Sequence, residues 1–242
     1  RYTCRKSDRW RLILIEIDDV EIEDVDDDVF FDAVIAYQGA LAYVYVADRT
    51  TCATRDTPCD WTQPARAEDI ETAAEAFYRN NEDGLLVPEM QGTLDMILIR
   101  TAASDSDAEQ VFEVYTGHGQ SQPIADYLVE HPHPNYVDMP QRLHDLTVGT
   151  HGDRAGDLIL VAHNGDRDDP ARRYYFAPLY HSWHGSPSAR DSELPLIVAR
   201  RGDDREALRR VVKTTFAGRH DQRLIADLLL RLRQDASAAE HP

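Results

Sequence analysis

Residues 154–200 read RAGDLILVAHNGDRDDPARRYYFAPLYHSWHGSPSARDSELPLIVAR, and they carry the strongest fold signal in the chain. Two short apolar runs lie near the ends of this stretch, DLILVA at residues 157–162 and LPLIVA at residues 194–199. Such runs are typical of strands that are covered on both faces, as the strands of parallel sheets are. We therefore predict that the two runs are adjacent or near-adjacent buried strands of one sheet.

The rest of the chain alternates between strand-like and helix-like segments. Apolar residues at helical spacing predict helices at residues 67–81, 124–130, 141–146, 204–216 and 222–233. Short apolar or alternating runs predict strands at residues 11–17, 33–37, 40–47, 94–99 and 111–115. Interleaved strands and helices favour an α/β fold with a mainly parallel sheet flanked by helices, and with a smaller α+β insertion subdomain.

A loop rich in Gly and His, residues 149–154, suggests where two parts of the chain meet. We predict that residues 1–150 form the inserted α+β subdomain with its connecting segments. Residues 151–242 would then form the C-terminal part of the larger α/β domain.

Composition excludes two classes of partner. The chain has 242 residues, 42% of them hydrophobic, which is enough for a sizeable core. Its 44 acidic residues outnumber its 26 basic ones, and a net charge of −18 repels a polyanion, so we expect no nucleic acid partner. No apolar run approaches the length of about 18 residues that spans a bilayer, so we expect no membrane partner.

The three cysteines give a weaker indication of the cellular compartment. They cannot form a closed disulfide framework, although Cys52 and Cys59 are near enough in sequence to be joined across a short loop. The low cysteine content favours a reducing compartment, and we expect a cytoplasmic protein.

Four of the ten histidines lie in segments with a plain structural interpretation. Residues 163–166 (HNGD) and 117–121 (GHGQS) are typical of turns, and residues 131–134 (HPHP) are typical of an extended proline segment. His181 and His184 differ, because they precede a glycine and a predicted buried strand. Gly185 would let the backbone turn sharply and bring the imidazole of His184 over the edge of the sheet, where ligands of open α/β sheets gather.

The order of these features resembles the alkaline phosphatase superfamily, in particular its type I phosphodiesterase and nucleotide pyrophosphatase branch. The matching residues are Gly156-Asp157 before an apolar run, then His184-Gly185-Ser186, Asp191, and residues 193–198 (ELPLIV). The final helix, residues 221–232, also resembles the helix with which these enzymes close. The resemblance is firm over the last part of the chain and only suggestive before Gly149.

The resemblance implies a metal-dependent hydrolase of phosphate esters or diesters in which His184 is the last zinc ligand. Two divalent metals would activate a Ser or Thr nucleophile and neutralise charge on the phosphoryl oxygens. His181 has no counterpart in the family, and we expect it to have a structural role or to orient a ligand. A phosphate-ester small molecule is the implied substrate, and sulfate or phosphonate chemistry occurs in the same superfamily.

The sequence departs from the family in its other site residues. No Asp-His dipeptide occurs, no Asp is followed four residues later by His in a suitable context, and no nucleophile segment is found. These motifs precede the matching region in family order, and the first residue is Arg, so we expect the missing N-terminal part of the same protein to supply them. The chain by itself would be an incomplete domain without a nucleophile. The alternative is a catalytically silent α/β module that acts by binding or assembly.

Overall fold

A computed structural model describes residues 12–15, 32–52, 57–101, 112–148, 155–164, 172–176, 185–201, 204–219 and 221–239, with side chains described except at 12–15, 38 and 235–239. The chain divides into two compact units, residues 1–193 and residues 194–242, and each is considered by itself.

The first unit contains a sheet and its covering helices. In chain order these elements are β1 (Leu12–Ile15), β2 (Ala33–Gln38), β3 (Leu41–Val46), α1 (Ala67–Asp83), β4 (Leu94–Arg100), β5 (Phe112–Gly117), β6 (Gln120–Pro123), α2 (Ile124–Glu130), α3 (Met139–Thr147), β7 (Leu158–Ala162) and the single turn α4 (Ala189–Ser192). The second unit contains α5 (Arg205–Phe216) and α6 (Leu224–Ala239). Most of the predicted helices and strands are therefore present, with ends that shift by a few residues.

The sheet has seven strands in the order β1-β2-β3-β7-β4-β5-β6. Only β1 and β2 are parallel, and every other neighbouring pair is antiparallel. The prediction of a mainly parallel, alkaline phosphatase-like sheet is therefore wrong, and the fold is α+β. For β2–β3 and β5–β6 the cause is local, because each pair is joined by a turn of two residues, and such short connections join only antiparallel strands.

Strand β7 lies in the middle of the sheet and is buried at every position. Leu158 and Leu160 pack on the face covered by α1, where Phe77 lies. Ile159 and Val161 pack on the opposite face, against residues of α2 and α3. The sequence thus correctly indicated a strand covered on both faces. It did not indicate direction, because helices also cover both faces of this antiparallel sheet.

The second predicted buried strand is absent. Residues 194–199 belong to the other unit, form no strand, and leave Leu194 76% and Ile197 87% exposed. The run also contains Pro195, which cannot donate a hydrogen bond to a sheet ladder. The prediction that residues 157–162 and 194–199 lie side by side in one sheet is therefore wrong.

The predicted division of the chain at residues 150 and 151 stays a prediction. It falls after α3 and before β7, and β7 pairs with β3 and β4 of the earlier segment. Among the described residues, no helix is long and apolar enough to cross a membrane. Cys52 and Cys59 are joined by a disulfide, which was one of the alternatives that the sequence left open.

Truncation of a central β7 side chain should be costly. Leu160 is fully buried, and Leu160→Ala should lower the free energy of unfolding by about 2–5 kcal/mol through lost burial and a residual cavity. Denaturant unfolding followed by circular dichroism measures this change. The matched control is Leu86→Ala at a mostly exposed position, where we expect a change within about 0.5 kcal/mol. Equal effects of the two substitutions would contradict the packing described for β7.

Candidate functional site

Strand β4 pairs irregularly with β7 at its beginning, where the register shifts by one residue. Leu94 pairs with Ala162, but Met96 already pairs with Val161, so Asp95 is the extra residue of a β-bulge. The bulge also explains the packing, since Leu94 and Ile97 face the same helix layer although they are three positions apart, an odd spacing that would put them on opposite faces of a regular strand. Bulges redirect side chains and are frequent beside functional sites. Here the bulge places a carboxylate at the end of the sheet where β4 begins and β7 ends.

Three side chains from two other segments surround Asp95. The Tyr136 hydroxyl donates a hydrogen bond of 2.6 Å to Asp95 Oδ2. His133 Nδ1 lies 3.5 Å from the same oxygen, and His163 Nδ1 lies 3.4 Å from Asp95 Oδ1. The Asp95 side chain is only 5% exposed, and the two imidazoles are 14% and 15% exposed. A nearly buried carboxylate therefore has donor groups next to both of its oxygens, as buried charges require.

Local sequence explains how these donors reach Asp95. His133 lies between Pro132 and Pro134 in the connection from α2 to α3, where proline favours extended backbone. The Tyr136 amide donates to the His133 carbonyl at 2.9 Å, and the two rings stack with centroids 4.8 Å apart. His163 follows β7 directly, and its amide donates to the Thr93 carbonyl at 2.9 Å. Each histidine is thus fixed through its backbone as well as its ring.

Loop 185–192 pairs with the same connection. The Val137 amide donates to the Pro187 carbonyl at 3.0 Å, the Ala189 amide donates to the Asn135 carbonyl at 2.7 Å, and Tyr136 forms an isolated antiparallel bridge with Ser188. These bonds join the loop to the residues that contact Asp95.

The loop also has internal bonds that fix its shape. The Ser186 amide donates to the Asp191 carboxylate at 2.9 Å, and the buried hydroxyls of Ser186 and Ser188 lie 2.7 Å apart. Gly185 has a φ of 106°, a value that L side chains rarely adopt. A positive φ permits the sharp turn predicted at Gly185, and that turn stays a prediction because the preceding residue lies outside the described residues.

A shallow cavity of about 260 Å³ lies beside His133 and Tyr136. Its walls are mostly apolar or aromatic, and they are formed by Leu128, Pro132, His133, Pro134, Tyr136, Asp138, Met139 and Pro140. Asp138 precedes α3 with φ 49° and ψ 40°, a left-handed conformation that is uncommon for residues other than glycine. Such sparsely populated conformations concentrate at functional sites, so the cavity and the Asp95 cluster together form the candidate site.

The electrostatics of the site extend to α2. Tyr127 lies in α2, and burial raises the pKa of its phenol. The negative charge of Asp95 raises this pKa further. A neutral phenol therefore faces the carboxylate. His133 and His163 both turn Nδ1 towards Asp95. A carboxylate beside Nδ1 favours the tautomer that carries its proton on that nitrogen. In that tautomer Nε2, on the opposite edge of each ring, is a hydrogen-bond acceptor.

The sequence-predicted metal ligand, His184, lies outside the described residues, and so does His181. Among the residues that the structure describes, no three His, Cys, Asp or Glu side chains are grouped so that they could hold a metal ion. Asp191 is described, and its carboxylate accepts the Ser186 amide within the loop. Zinc binding thus stays a prediction.

Residues Asp95, His133, Tyr136 and His163 were not among the predicted site residues. The segments of both histidines were interpreted only as a turn and an extended proline stretch. One signal was present in the sequence, because Asp95 interrupts the apolar run LDMILI. A charged residue inside an otherwise buried strand demands a partner.

Comparison with known proteins finds no relative. No protein-family model, no curated protein and no solved structure matches this chain. Function is therefore inferred from the geometry of this chain and from its sequence resemblance to the alkaline phosphatase superfamily.

Gly156-Asp157, the start of the resembling region, has a structural explanation. Gly156 has a φ of +77°, and a Cβ there would meet the Val44 carbonyl oxygen at 3.0 Å. The Val46 amide donates to Asp157 Oδ2 at 2.7 Å. Burial raises the pKa of Asp157, and this hydrogen bond acts in the opposite direction. The pair fixes the beginning of β7 against β3.

Residues 117–121 contain the two-residue hairpin turn between β5 and β6, His118 and Gly119, in agreement with the prediction of a turn. Glu75 of α1 accepts hydrogen bonds from the Tyr115 hydroxyl at 2.7 Å and from the His118 amide at 2.9 Å. Gly117 has a φ of +92°, and a Cβ there would meet the Tyr78 ring at 2.4 Å. Gly119 has a φ of +72°, and a Cβ there would meet Glu71 Oε1 at 2.6 Å, so packing explains both glycines without a catalytic role.

Tyr115 should report on this network through its titration. Burial of the phenol, followed by the hydrogen bond to Glu75, raises the pKa of Tyr115 to about 12. In Glu75→Gln the pKa should fall towards 10, because the phenolate no longer meets a carboxylate. The difference in ultraviolet absorbance between each protein and its Tyr115→Phe derivative isolates this one titration.

The sign of the linked stability follows from the raised pKa. The protonated Tyr115 phenol contributes to the free energy of unfolding. This contribution is fully present below the unfolded pKa of 10 and is lost as the pH rises through the folded pKa of about 12. The control is Glu113→Gln, because Glu113 bonds Ser121 in the same hairpin and has no bond to Tyr115. An unchanged Tyr115 titration in Glu75→Gln would refute the assigned cause.

Proposed function

We propose that this chain is part of a metal-dependent hydrolase of phosphate esters or diesters, and that His184 supplies one of its metal ligands. The observation that supports this proposal is the geometry of loop 185–192, which follows His184 directly. Gly185 has the left-handed backbone that a sharp turn requires, and Asp191 accepts the Ser186 amide. The same residues carry the resemblance to the alkaline phosphatase superfamily.

The antiparallel sheet does not offer the kind of crevice that the sequence predicted for His184. A crevice at the carboxyl ends of parallel strands is not available here, so the proposal depends on the loop and on the sequence order around it. The described residues do not make a metal site by themselves. The nucleophile and the other ligands would come from the N-terminal part of the same protein.

One buried polar atom of the loop is unsatisfied among the described residues. Ser192 Oγ is buried, and it has no hydrogen-bond partner among the described residues. Buried polar atoms without partners are rare in native proteins. A partner from outside the described residues would satisfy this hydroxyl.

The predicted cytoplasmic location belongs to the same proposal. The disulfide between Cys52 and Cys59 counts against it, because disulfides persist mainly in oxidising compartments.

The alternative function is a binding or assembly module without catalysis. Apolar side chains on the surface of the second unit favour it, in particular Leu194, Ile197 and Leu229. A Ser or Thr nucleophile together with Asp-x-x-x-His and Asp-His motifs in the preceding sequence would decide for the hydrolase.

The ligand role of His184 can be tested in the full-length protein. His184→Ala should lower the zinc content and reduce kcat/KM for an aryl phosphodiester by more than about 100-fold, because a lost ligand displaces the metal that stabilises the transition state. Elemental analysis and steady-state kinetics measure both effects. His181→Ala is the matched control, and its effect should be milder. Equal zinc content and rate constants in the wild type and His184→Ala would remove the basis for this site.

The 242-residue chain by itself should show no chelator-sensitive phosphodiesterase activity. A single metal ligand cannot hold the two cations that activate the nucleophile and balance the phosphoryl charge. The assay follows release of the aryl alcohol from an aryl phosphodiester in added zinc, with and without chelator. Robust turnover that the chelator abolishes would contradict the division of the site proposed above.

A further inference from the structure

Asp95 is joined to loop 185–192 by a short chain of contacts. Its carboxylate accepts the Tyr136 hydroxyl at 2.6 Å. Tyr136 bridges to Ser188, and the residues on either side of Tyr136 exchange backbone hydrogen bonds with Pro187 and Ala189. A buried charge in a bulge of the sheet therefore lies one side chain away from the loop that follows the predicted metal ligand.

We propose that Asp95 and Tyr136 are positioning residues that fix loop 185–192 against the end of the sheet. Asp95 belongs to the rigid sheet, whereas Asn135, Tyr136 and Val137 belong to a connection without helix or strand structure. The hydrogen bond between the two side chains ties this connection to β4. The connection in turn presents the amide of Val137 and the carbonyl of Asn135 to the loop.

The negative charge of Asp95 strengthens its hydrogen bond with the Tyr136 hydroxyl. A hydrogen bond from a phenol to a carboxylate is about twice as strong as one between neutral groups, and a nearly buried position excludes competing water. His133 and His163 face the same carboxylate, and His133 also stacks on the Tyr136 ring. The stacking fixes the plane of the phenol, so its hydroxyl points at Asp95 in one arrangement.

The structural part of this inference needs only the described residues. Its consequence for metal binding rests on the proposed role of His184, because the loop begins at the next residue. Loss of the Asp95–Tyr136 bond should loosen the loop first. It should then weaken metal binding without removing any ligand.

The structural part can be tested by amide hydrogen exchange on the 242-residue chain. In Tyr136→Phe, which keeps the ring and loses only the hydroxyl, the amides of Val137 and Ala189 should exchange about tenfold faster. Asp95→Asn, which removes the charge, should have an effect at least as large. The Ala47 amide, which donates to Asp32 elsewhere in the same unit, should keep its wild-type rate.

The matched control is Tyr127→Phe. Tyr127 also faces the charge of Asp95, but it lies in α2 and makes no bond to the loop among the described contacts. Its substitution should leave the Val137 and Ala189 amides unchanged. Wild-type exchange at both amides in Tyr136→Phe would overturn the proposal. An equal acceleration at Ala47 would also overturn it, because the effect would then be global destabilisation.

A second measurement in the full-length protein separates this inference from the proposed function. Tyr136→Phe should bind zinc more weakly and regain its kcat when excess zinc is added, whereas His184→Ala should not recover. If Tyr136→Phe binds zinc with wild-type affinity while His184→Ala contains no zinc, the positioning role of Tyr136 is wrong. Wild-type zinc content in His184→Ala would refute the proposed function alone, because the exchange rates of the loop do not depend on zinc.

Discussion

Burial of β7 on both faces is the constraint on which the first unit depends. Its five residues are all buried, and alternate side chains enter two separate layers. One layer needs the amphipathic helix α1, and the other needs α2 and α3. The helices are thus placed by the demand to cover one central strand. The strands β3 and β4 satisfy its backbone groups on either side.

The same arrangement explains how a charge can be held inside the sheet. A regular β4 would alternate its side chains between two apolar layers, and neither layer could accept a carboxylate. The bulge at Asp95 breaks the alternation for one residue at the end of the strand. The carboxylate then meets groups from two loops instead of the apolar core. A local irregularity therefore makes a buried charge compatible with the sheet.

The sequence predicted the individual elements better than their arrangement. Helical spacing located α1, α5 and α6, and the apolar run located β7 as a strand with two covered faces. Strand direction could not be predicted, because two-faced burial arises in a parallel sheet and equally in an antiparallel sheet with helices on both sides. Residues 194–199 form an apolar run as well, yet Leu194 and Ile197 are exposed. An apolar run therefore does not by itself indicate that other residues cover it.

The candidate site was missed for a related reason. The periodicity of apolar residues indicates which positions are buried. It does not indicate that Asp95, His133 and His163 lie together, because pairing between distant segments brings them together and local sequence does not encode that pairing. The segments around the two histidines suggested only an extended proline stretch at residues 131–134 and a turn at residues 163–166, and the last two residues of that turn lie outside the described residues. Asp95 alone carried a usable signal, because a carboxylate inside an apolar strand has to find donors somewhere else in the chain.

An antiparallel sheet changes where a functional site can be built. Parallel sheets bring the carboxyl ends of all their strands to one edge, so loops and helix N-termini gather there. In this sheet each end combines the start of one strand with the end of its neighbour, and no edge is favoured by topology. The end where β4 begins and β7 ends becomes distinctive only through the bulged Asp95 and the loops that pair beside it. Function at that end would therefore depend on side-chain contacts that fix the loops, and the Asp95–Tyr136 hydrogen bond is one described contact that joins the sheet to them.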